Sequence, residues 1–194
     1  MDVLRDRGNR VVDKFMLRKE DAVLLIVDIQ DKLAAVMKEK DAVVGNNLHL
    51  IALAKMLGMP VMVTEQYPKG LGTTVPEIRE ALPVYQPVEK MTFDCCGQPA
   101  FLGELKGRGK NTVILTGMET HICVLQTCLG LLQGGINVHV VRDAVCSRTE
   151  GNWNTGIEFM RDAGAVVTCT ETVLFQLLKV AGTEEFKAIS KRIK

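Results

Sequence analysis

The feature that most constrains the fold is an alternation of short apolar runs with longer stretches of helical spacing along the 194 residues. Five of the six runs are rich in Val, Ile, Leu or Met, which is typical of strands covered on both faces. Strands that alternate with helices indicate a parallel sheet, and right-handed crossovers place helices on both of its faces. The sequence therefore predicts a three-layer α/β/α fold. The predicted strands are residues 22–27, 60–64, 86–89, 112–116, 136–141 and 165–169.

A helical pattern follows the first predicted strand, with spaced residues from Val43 to Leu57 and a glycine, Gly58, expected to end the helix. Further helices are predicted at 77–82, 100–106, 122–133 and 153–163. The only long irregular stretch predicted is 65–75, which is rich in Gly and Pro. Because long loops in compact domains are usually functional, this one is expected to overhang the sheet edge and shape a substrate pocket.

Charge and hydropathy narrow the possible partners. The chain has 24 basic and 23 acidic residues, so its formal charge is +1 and no broad field favours nucleic acid or an anionic membrane. The basic tail at 187–194 is interpreted as a solvated terminal helix. No apolar run reaches the length of a membrane span, and no composition shift divides the chain. We expect one domain, residues 1–194, with neither nucleic-acid nor membrane partners.

Cysteine usage indicates a reducing compartment. The first ten residues carry charges where a signal peptide needs an apolar core, so a disulfide framework of the secreted type is not expected. A cytoplasmic location is predicted. Cys128, Cys146 and Cys169 are interpreted as small buried hydrophobes, whereas a redox role for Cys95 and Cys96 stays open.

An acid, an ammonium and a thiol each lie where a predicted strand ends. Asp28 follows the first strand, Lys90 the third, and Cys123 lies just after the fourth. The carboxyl ends of parallel strands share one edge of the sheet, so these three side chains are expected to meet. Thr120 is the expected N-cap of the following helix, whose N-terminus favours a Cys123 thiolate. Taken singly, the three residues read as a helix cap, a surface lysine and a core thiol.

Three sequence stretches carry a family resemblance: Val27-Asp28-Ile29-Gln30, residues 90–94 (KMTFD) and residues 117–124 (GMETHICV). Together they resemble the isochorismatase-like cysteine hydrolases, a family that includes nicotinamidases and related amidases. The resemblance covers nearly the whole chain. Residues 64–77 and 138–144 look closest to the isochorismatase-domain-containing proteins.

The resemblance implies a catalytic triad of Asp28, Lys90 and Cys123 on a doubly wound, Rossmann-like sheet of six parallel strands. It also implies a cis peptide bond between Met118 and Glu119, with the backbone N–H groups of Glu119 and Cys123 as an oxyanion hole. The residues expected to line the substrate pocket are Gln30, Tyr67, Phe93 and His121. For His121, capping of the helix is an equal alternative.

The implied activity is metal-independent hydrolysis of a C–N bond in a small amide or urea-like substrate, through a thioester and without a cofactor. The region where nicotinamidases bind a metal reads Glu-Gln-Tyr-Pro-Lys here, and His49, His121 and His139 lack ligand spacing. One alternative is vinyl ether hydrolysis of an isochorismate-like acid, centred on Asp28. Another is a non-catalytic oligomeric interaction protein or redox sensor. Family members assemble into closed oligomers, so a homo-oligomer is expected.

Overall fold

A single parallel sheet runs through the chain, of which the computed structural model describes residues 10–194. The residues used above to argue against a signal peptide therefore lie, apart from Arg10, outside the described part. The strand order is β3-β2-β1-β4-β5-β6, and every neighbouring pair is parallel. The predicted doubly wound sheet of six strands is confirmed. The strands are β1 (Ala22–Val27), β2 (Val61–Gln66), β3 (Val88–Lys90), β4 (Thr112–Met118), β5 (Asn137–Cys146) and β6 (Val166–Thr168).

Helices cover both faces of the sheet. One hydrophobic core joins α3, α5, α9 and α10 to one face, and a second core joins α6, α7 and α8 to the other. The predicted three layers are therefore present. The helices are α1 (Arg10–Asp13), α2 (Asp31–Ala34), α3 (Lys40–Leu57), α4 (Pro68–Leu71), α5 (Pro76–Ala81), α6 (Pro99–Gly107), α7 (Leu125–Gln133), α8 (Glu150–Asp162), α9 (Thr170–Leu178) and α10 (Glu184–Arg192).

Strand β1 is the centre of the molecule, and all six of its residues are buried. Successive side chains of a strand point to opposite faces, so Leu24 and Ile26 pack into one core while Leu25 and Val27 pack into the other. The continuous apolar run is thus explained by burial on both faces. Because β1 lies between β2 and β4, the sheet order reverses at the gap between β1 and β4.

Three predicted boundaries are wrong in ways that matter for function. Strand β5 extends beyond residue 141 to Cys146. Two exposed polar residues, Arg142 and Asp143, interrupt its apolar sequence at the point where its register with β4 shifts, between Leu115 and Gly117. The stretch 65–75 is not irregular throughout, since β2 continues to Gln66 and α4 follows. The helix expected from residue 122 begins instead as a π-helical turn, Thr120–Val124, that leads into α7.

Gly117 allows β1 and β4 to approach each other where both strands end. Its φ is +121°, and a Cβ atom there would lie 2.0 Å from the carbonyl oxygen of Val27. Only glycine combines this backbone conformation with such close contact. Residue 28 and the turn after β4 are therefore neighbours at the reversal of strand order, which is where open α/β sheets bind ligands.

Candidate active site

Asp28 forms the centre of a buried polar cluster at the carboxyl edge of the sheet. Its side chain is fully buried; Oδ2 accepts a hydrogen bond of 2.6 Å from Lys90 Nζ, and Oδ1 accepts one of 2.8 Å from Thr64 Oγ1. The backbone of Asp28 is left-handed, with φ of 52°. The helix-cap alternative is wrong, because Gln30 occupies the N-cap position of α2 and both Asp28 oxygens bond to other strands.

Lys90 lies at the end of β3 and is 2% exposed, so the surface-lysine alternative is also wrong. Besides Asp28, its Nζ donates to Gln66 Oε1 at 2.9 Å and, at longer range, to the carbonyl oxygens of Thr92 and Phe93. Burial alone would lower the pKa of Lys90. Burial is the largest single effect, but the charge and hydrogen bond of Asp28 together with the nearby Cys95 and Cys123 outweigh it and raise the pKa, so the buried side chain is an ammonium.

Cys123 lies in the π-helical turn and is 5% exposed. Burial raises the pKa of its thiol, the charge of Asp28 raises it further, and the Lys90 ammonium acts in the opposite direction. The expectation that the helix terminus favours a resting thiolate is therefore wrong. In the resting protein Cys123 carries its proton, and Asp28 is the charged neighbour that helps to keep it there.

The turn that carries Cys123 differs from the expected capped helix. The Met118–Glu119 peptide bond is cis, the geometry that the resemblance implies. Glu119, and not Thr120, occupies the N-cap position of the turn, and the buried Thr120 hydroxyl has no hydrogen-bond partner in the described part of the chain. His121 does not cap the helix either, since its Nδ1 lies 3.0 Å from Ser147 Oγ.

The other predicted pocket residues divide into one buried amide and two exposed rings. Gln30 is fully buried. Its Nε2 donates to the carbonyl oxygens of Gln66 and Gly72, and its Oε1 accepts from the Gln66 backbone N–H. Tyr67 and Phe93 have exposed side chains beside the ends of β2 and β3. Contact of Gln30, Tyr67 or Phe93 with substrate stays a prediction. The hydrogen bonds of Gln30 also fix both ends of the segment from Gln66 to Gly72.

Two residues of the cluster were missed by the sequence reasoning: Thr64 and Gln66, which donate to Asp28 and accept from Lys90. The available signal was the polar carboxyl end of β2, where Thr-Glu-Gln follows the apolar Val-Met-Val. A buried polar group needs a hydrogen-bond partner, so three polar residues at a central strand end indicate a polar network there.

Glu65, between those two residues, holds the loop after β2. The Glu65 carboxylate is buried, and Oε1 accepts hydrogen bonds from Thr74 N, from Thr74 Oγ1 and from the hydroxyl of Tyr85. Burial and the neighbouring Glu65 raise the pKa of Tyr85, so its hydroxyl remains a donor. The segment therefore has a fixed conformation at the rim of the cluster.

Replacing Tyr85 by Phe is expected to destabilise the protein by about 1–2 kcal/mol, because Glu65 keeps both Thr74 donors but loses one hydrogen bond to a charged group. Urea unfolding measures the change. In the matched variant Tyr67→Phe, whose ring is exposed, stability should change by less than about 0.5 kcal/mol. Equal free energies of unfolding for the two variants would show that the hydrogen bond from Tyr85 to Glu65 contributes nothing to stability.

The histidines and thiols form no second cluster in the described residues. His49, His121 and His139 lie on α3, the π-helical turn and β5, and residues 10–194 contain no group of three His, Cys, Asp or Glu side chains placed to hold a metal ion. All six cysteines are free. Cys128 and Cys146 are buried as expected, but Cys169 is only half-buried, with Sγ 3.2 Å from Thr172 Oγ1.

Cys95 is the one other thiol at the cluster. It is fully buried, its Sγ lies 3.8 Å from Thr64 Oγ1, and its backbone N–H donates to Thr127 Oγ1. Burial raises its pKa to about 12, so it is a neutral thiol.

Among residues 10–194, no helix is both long enough and apolar enough to cross a membrane.

Comparison with known proteins identifies the family. Residues 22–172 match the isochorismatase domain. The chain is 40% identical over 178 residues to the secreted isochorismatase effector Isc1 of Phytophthora sojae, covering 89% of this chain and 84% of that protein. It is 37% identical over 176 residues to isochorismatase domain-containing protein 2A of Mus musculus, with 90% and 84% covered. The ycaC gene product of Escherichia coli, an octameric hydrolase of unknown specificity, has a TM-score of 0.86 at 26% identity over 91% of this chain and 90% of its own. The chain belongs to the isochorismatase family of hydrolases.

Proposed function

We propose that this chain is a metal-independent cysteine hydrolase that cleaves a C–N bond of a small amide or urea-like substrate through a thioester on Cys123. The observation that supports this most directly is the fully buried Asp28–Lys90 ion pair beside a neutral Cys123 thiol. A buried ion pair is a costly arrangement for stability alone. Its position at the reversal of strand order is that of a ligand site.

In the proposed acylation step, Asp28 accepts the proton of the Cys123 thiol as sulfur attacks the carbonyl carbon. Lys90 holds the carboxylate in place and supplies a positive charge that favours the developing thiolate. The oxyanion is stabilised by the backbone N–H groups of Glu119 and Cys123, each worth about 3 kcal/mol. Asp28 then gives its proton to the leaving amine, and the thioester remains on Cys123.

In the proposed deacylation step, Asp28 takes a proton from a water molecule that attacks the thioester carbonyl. The tetrahedral intermediate collapses, the acid product leaves, and Asp28 gives the proton to the departing Cys123 sulfur. The same carboxylate therefore acts first as base and then as acid in each of the two steps, which requires that it be held next to the sulfur throughout. No step needs a metal or a cofactor, and the described residues include no cluster of metal ligands.

The remaining parts of the proposal concern domain, partners and location. We propose one hydrolase domain that acts on a small molecule, and a homo-oligomer, as in the octameric hydrolase from Escherichia coli. The exposed rings of Tyr67 and Phe93 are proposed to line the substrate pocket with Gln30 and His121. Six free thiols favour a reducing, cytoplasmic location, although one relative is a secreted effector.

The test is covalent capture of the acyl intermediate. The parent protein, Cys123→Ser and the half-buried control Cys169→Ser are mixed with p-nitrophenyl acetate, and acetylated peptides are read by mass spectrometry. We expect rapid acetylation at residue 123 in the parent and the control, followed by slow release, and loss of the burst in Cys123→Ser. A screen of small amides and ureas then uses the same variants.

Two outcomes would contradict the proposal. Acetylation of Cys123 that is no faster than that of Cys169 would reject the nucleophile. Hydrolysis of an acidic vinyl ether that persists in Cys123→Ser and disappears in Asp28→Asn would instead support the Asp28-centred alternative.

A further inference from the structure

The segment that follows β5 is hydrogen-bonded to the turn that carries Cys123. Glu119 Oε2 accepts two hydrogen bonds from Arg148, one of 3.0 Å from its backbone N–H and one of 3.1 Å from Nε. The Glu119 side chain is 5% exposed and that of Arg148 is 55% exposed. A carboxylate in the interior is thus paired with a guanidinium that reaches it from the surface.

Glu119 is also the residue on which the turn is built. Its carbonyl oxygen accepts the backbone N–H of Ile122 at 3.1 Å and that of Val124 at 3.2 Å. Cys123 lies between these two donors. Any force that fixes Glu119 therefore fixes the backbone on both sides of Cys123.

Two further contacts connect the turn to the same region. Ser147 Oγ lies 3.0 Å from His121 Nδ1. In α8, Gly156 packs so closely that a Cβ atom there would lie 2.9 Å from the carbonyl oxygen of Thr120. The segment that carries Arg148 is itself anchored, since Thr149 caps α8 by accepting the N–H of Asn152.

We propose that Arg148 is a positioning residue that aligns the oxyanion-binding N–H groups of the Cys123 turn through the Glu119 carboxylate. The inference rests on the proposed function and adds a residue that contacts no reacting atom. Without the guanidinium, the buried carboxylate of Glu119 keeps only one donor from residue 148 and is driven toward water. The Glu119 N–H, a proposed oxyanion donor, moves with it.

Arg148 also lines a cavity of about 600 Å³ between the start of α3 and the start of α8. Arg142 and Trp153 line the same cavity, and the Arg142 guanidinium lies 5.1 Å from the Trp153 ring centroid. Small cations can therefore reach Glu119 when the Arg148 side chain is removed. Arg142 provides a matched control, because it is exposed in the same cavity and bonds to no residue of the turn in the described structure.

The test compares two reactions of Cys123 in the parent, Arg148→Met and Arg142→Met. Acylation by p-nitrophenyl acetate forms an oxyanion, whereas alkylation by iodoacetamide does not. We expect Arg148→Met to acylate at least tenfold more slowly than the parent while its alkylation changes by less than about threefold. In Arg142→Met both rates should stay within about twofold. Ethylguanidinium should restore part of the acylation rate of Arg148→Ala, because truncation at Cβ leaves the space of the arginine side chain open.

Hydrogen exchange separates failure of this inference from failure of the proposed function. The Ile122 and Val124 amides should exchange at least about tenfold faster in Arg148→Met than in Arg142→Met, whatever the reactivity of Cys123. Unchanged exchange, or an equal loss of acylation and alkylation without rescue, would overturn the positioning role. Absence of acylation in the parent, with faster exchange in Arg148→Met, would overturn the proposed function and leave Arg148 as a purely structural clamp.

Discussion

Replacing Asp28 by Asn is expected to change two reactivities of Cys123 in opposite directions. The charge of Asp28 raises the pKa of the thiol and that of Lys90 lowers it, so the variant should have a lower Cys123 pKa and faster alkylation by iodoacetamide near pH 8. Steady-state hydrolysis of p-nitrophenyl acetate should instead fall by about 100-fold or more, because deacylation loses its proposed general base. Mass spectrometry should then find acetylated Cys123 accumulating.

The pH dependence in the parent follows from the same cause. A raised pKa means that alkylation of Cys123 keeps rising with pH above about 8.5, the ordinary value for cysteine, whereas the curve for Asp28→Asn is displaced to lower pH. Asp31→Asn, three residues further on in the exposed first turn of α2, is the control and should match the parent in both reactions. Hydrolysis by Asp28→Asn that stayed within about tenfold of the parent rate would show that Asp28 is not the base of deacylation.

The fold and the location of Asp28 could be predicted because they follow from strands buried on both faces. An apolar run such as Val23–Val27 has few other structures open to it, and the polar residue that ends it must lie at the sheet edge. The predicted location of Asp28 needed only that geometry, whereas Lys90 ends the short edge strand β3, in which Glu89 is exposed. The sequence predicted that Asp28 and Lys90 meet, and the structure adds that their contact, at 2.6 Å, is fully buried.

What the sequence could not provide depends on contacts between distant residues. The bond of Thr64 to Asp28 and the pair formed by Glu119 and Arg148 join positions 36 and 29 residues apart. The pKa of Cys123 was also misjudged, because the effect of a helix terminus was visible in the sequence whereas burial and the adjacent carboxylate were not. Local patterns thus predicted where the site residues lie, whereas packing between distant residues determines their hydrogen bonds and the pKa of Cys123.

Replacing Lys90 by Met is expected to lower the free energy of unfolding by about 3–5 kcal/mol, because the Asp28 carboxylate stays buried without its cationic partner. Urea unfolding measures this loss. The control is Lys55→Met, an exposed lysine on α3 whose Nζ donates, within residues 10–194, only to the Ala81 carbonyl oxygen. It should change stability by less than about 0.5 kcal/mol. A loss in Lys90→Met no larger than in the control would show that the ion pair contributes nothing to folding.

The double variant Asp28→Asn with Lys90→Met separates stability from catalysis. Replacing both charges removes the buried unpaired group, so most of the stability lost in Lys90→Met should return while hydrolysis stays absent. The folded-state pKa of Lys90 is raised, so its contribution is complete below about pH 10.4, the ordinary value for lysine, and is lost as pH rises through the folded value. The parent should therefore lose more stability than the double variant as the solution is made strongly alkaline. If the two proteins lost the same amount of stability at high pH, Lys90 would not be an ammonium stabilised by Asp28 in the folded protein.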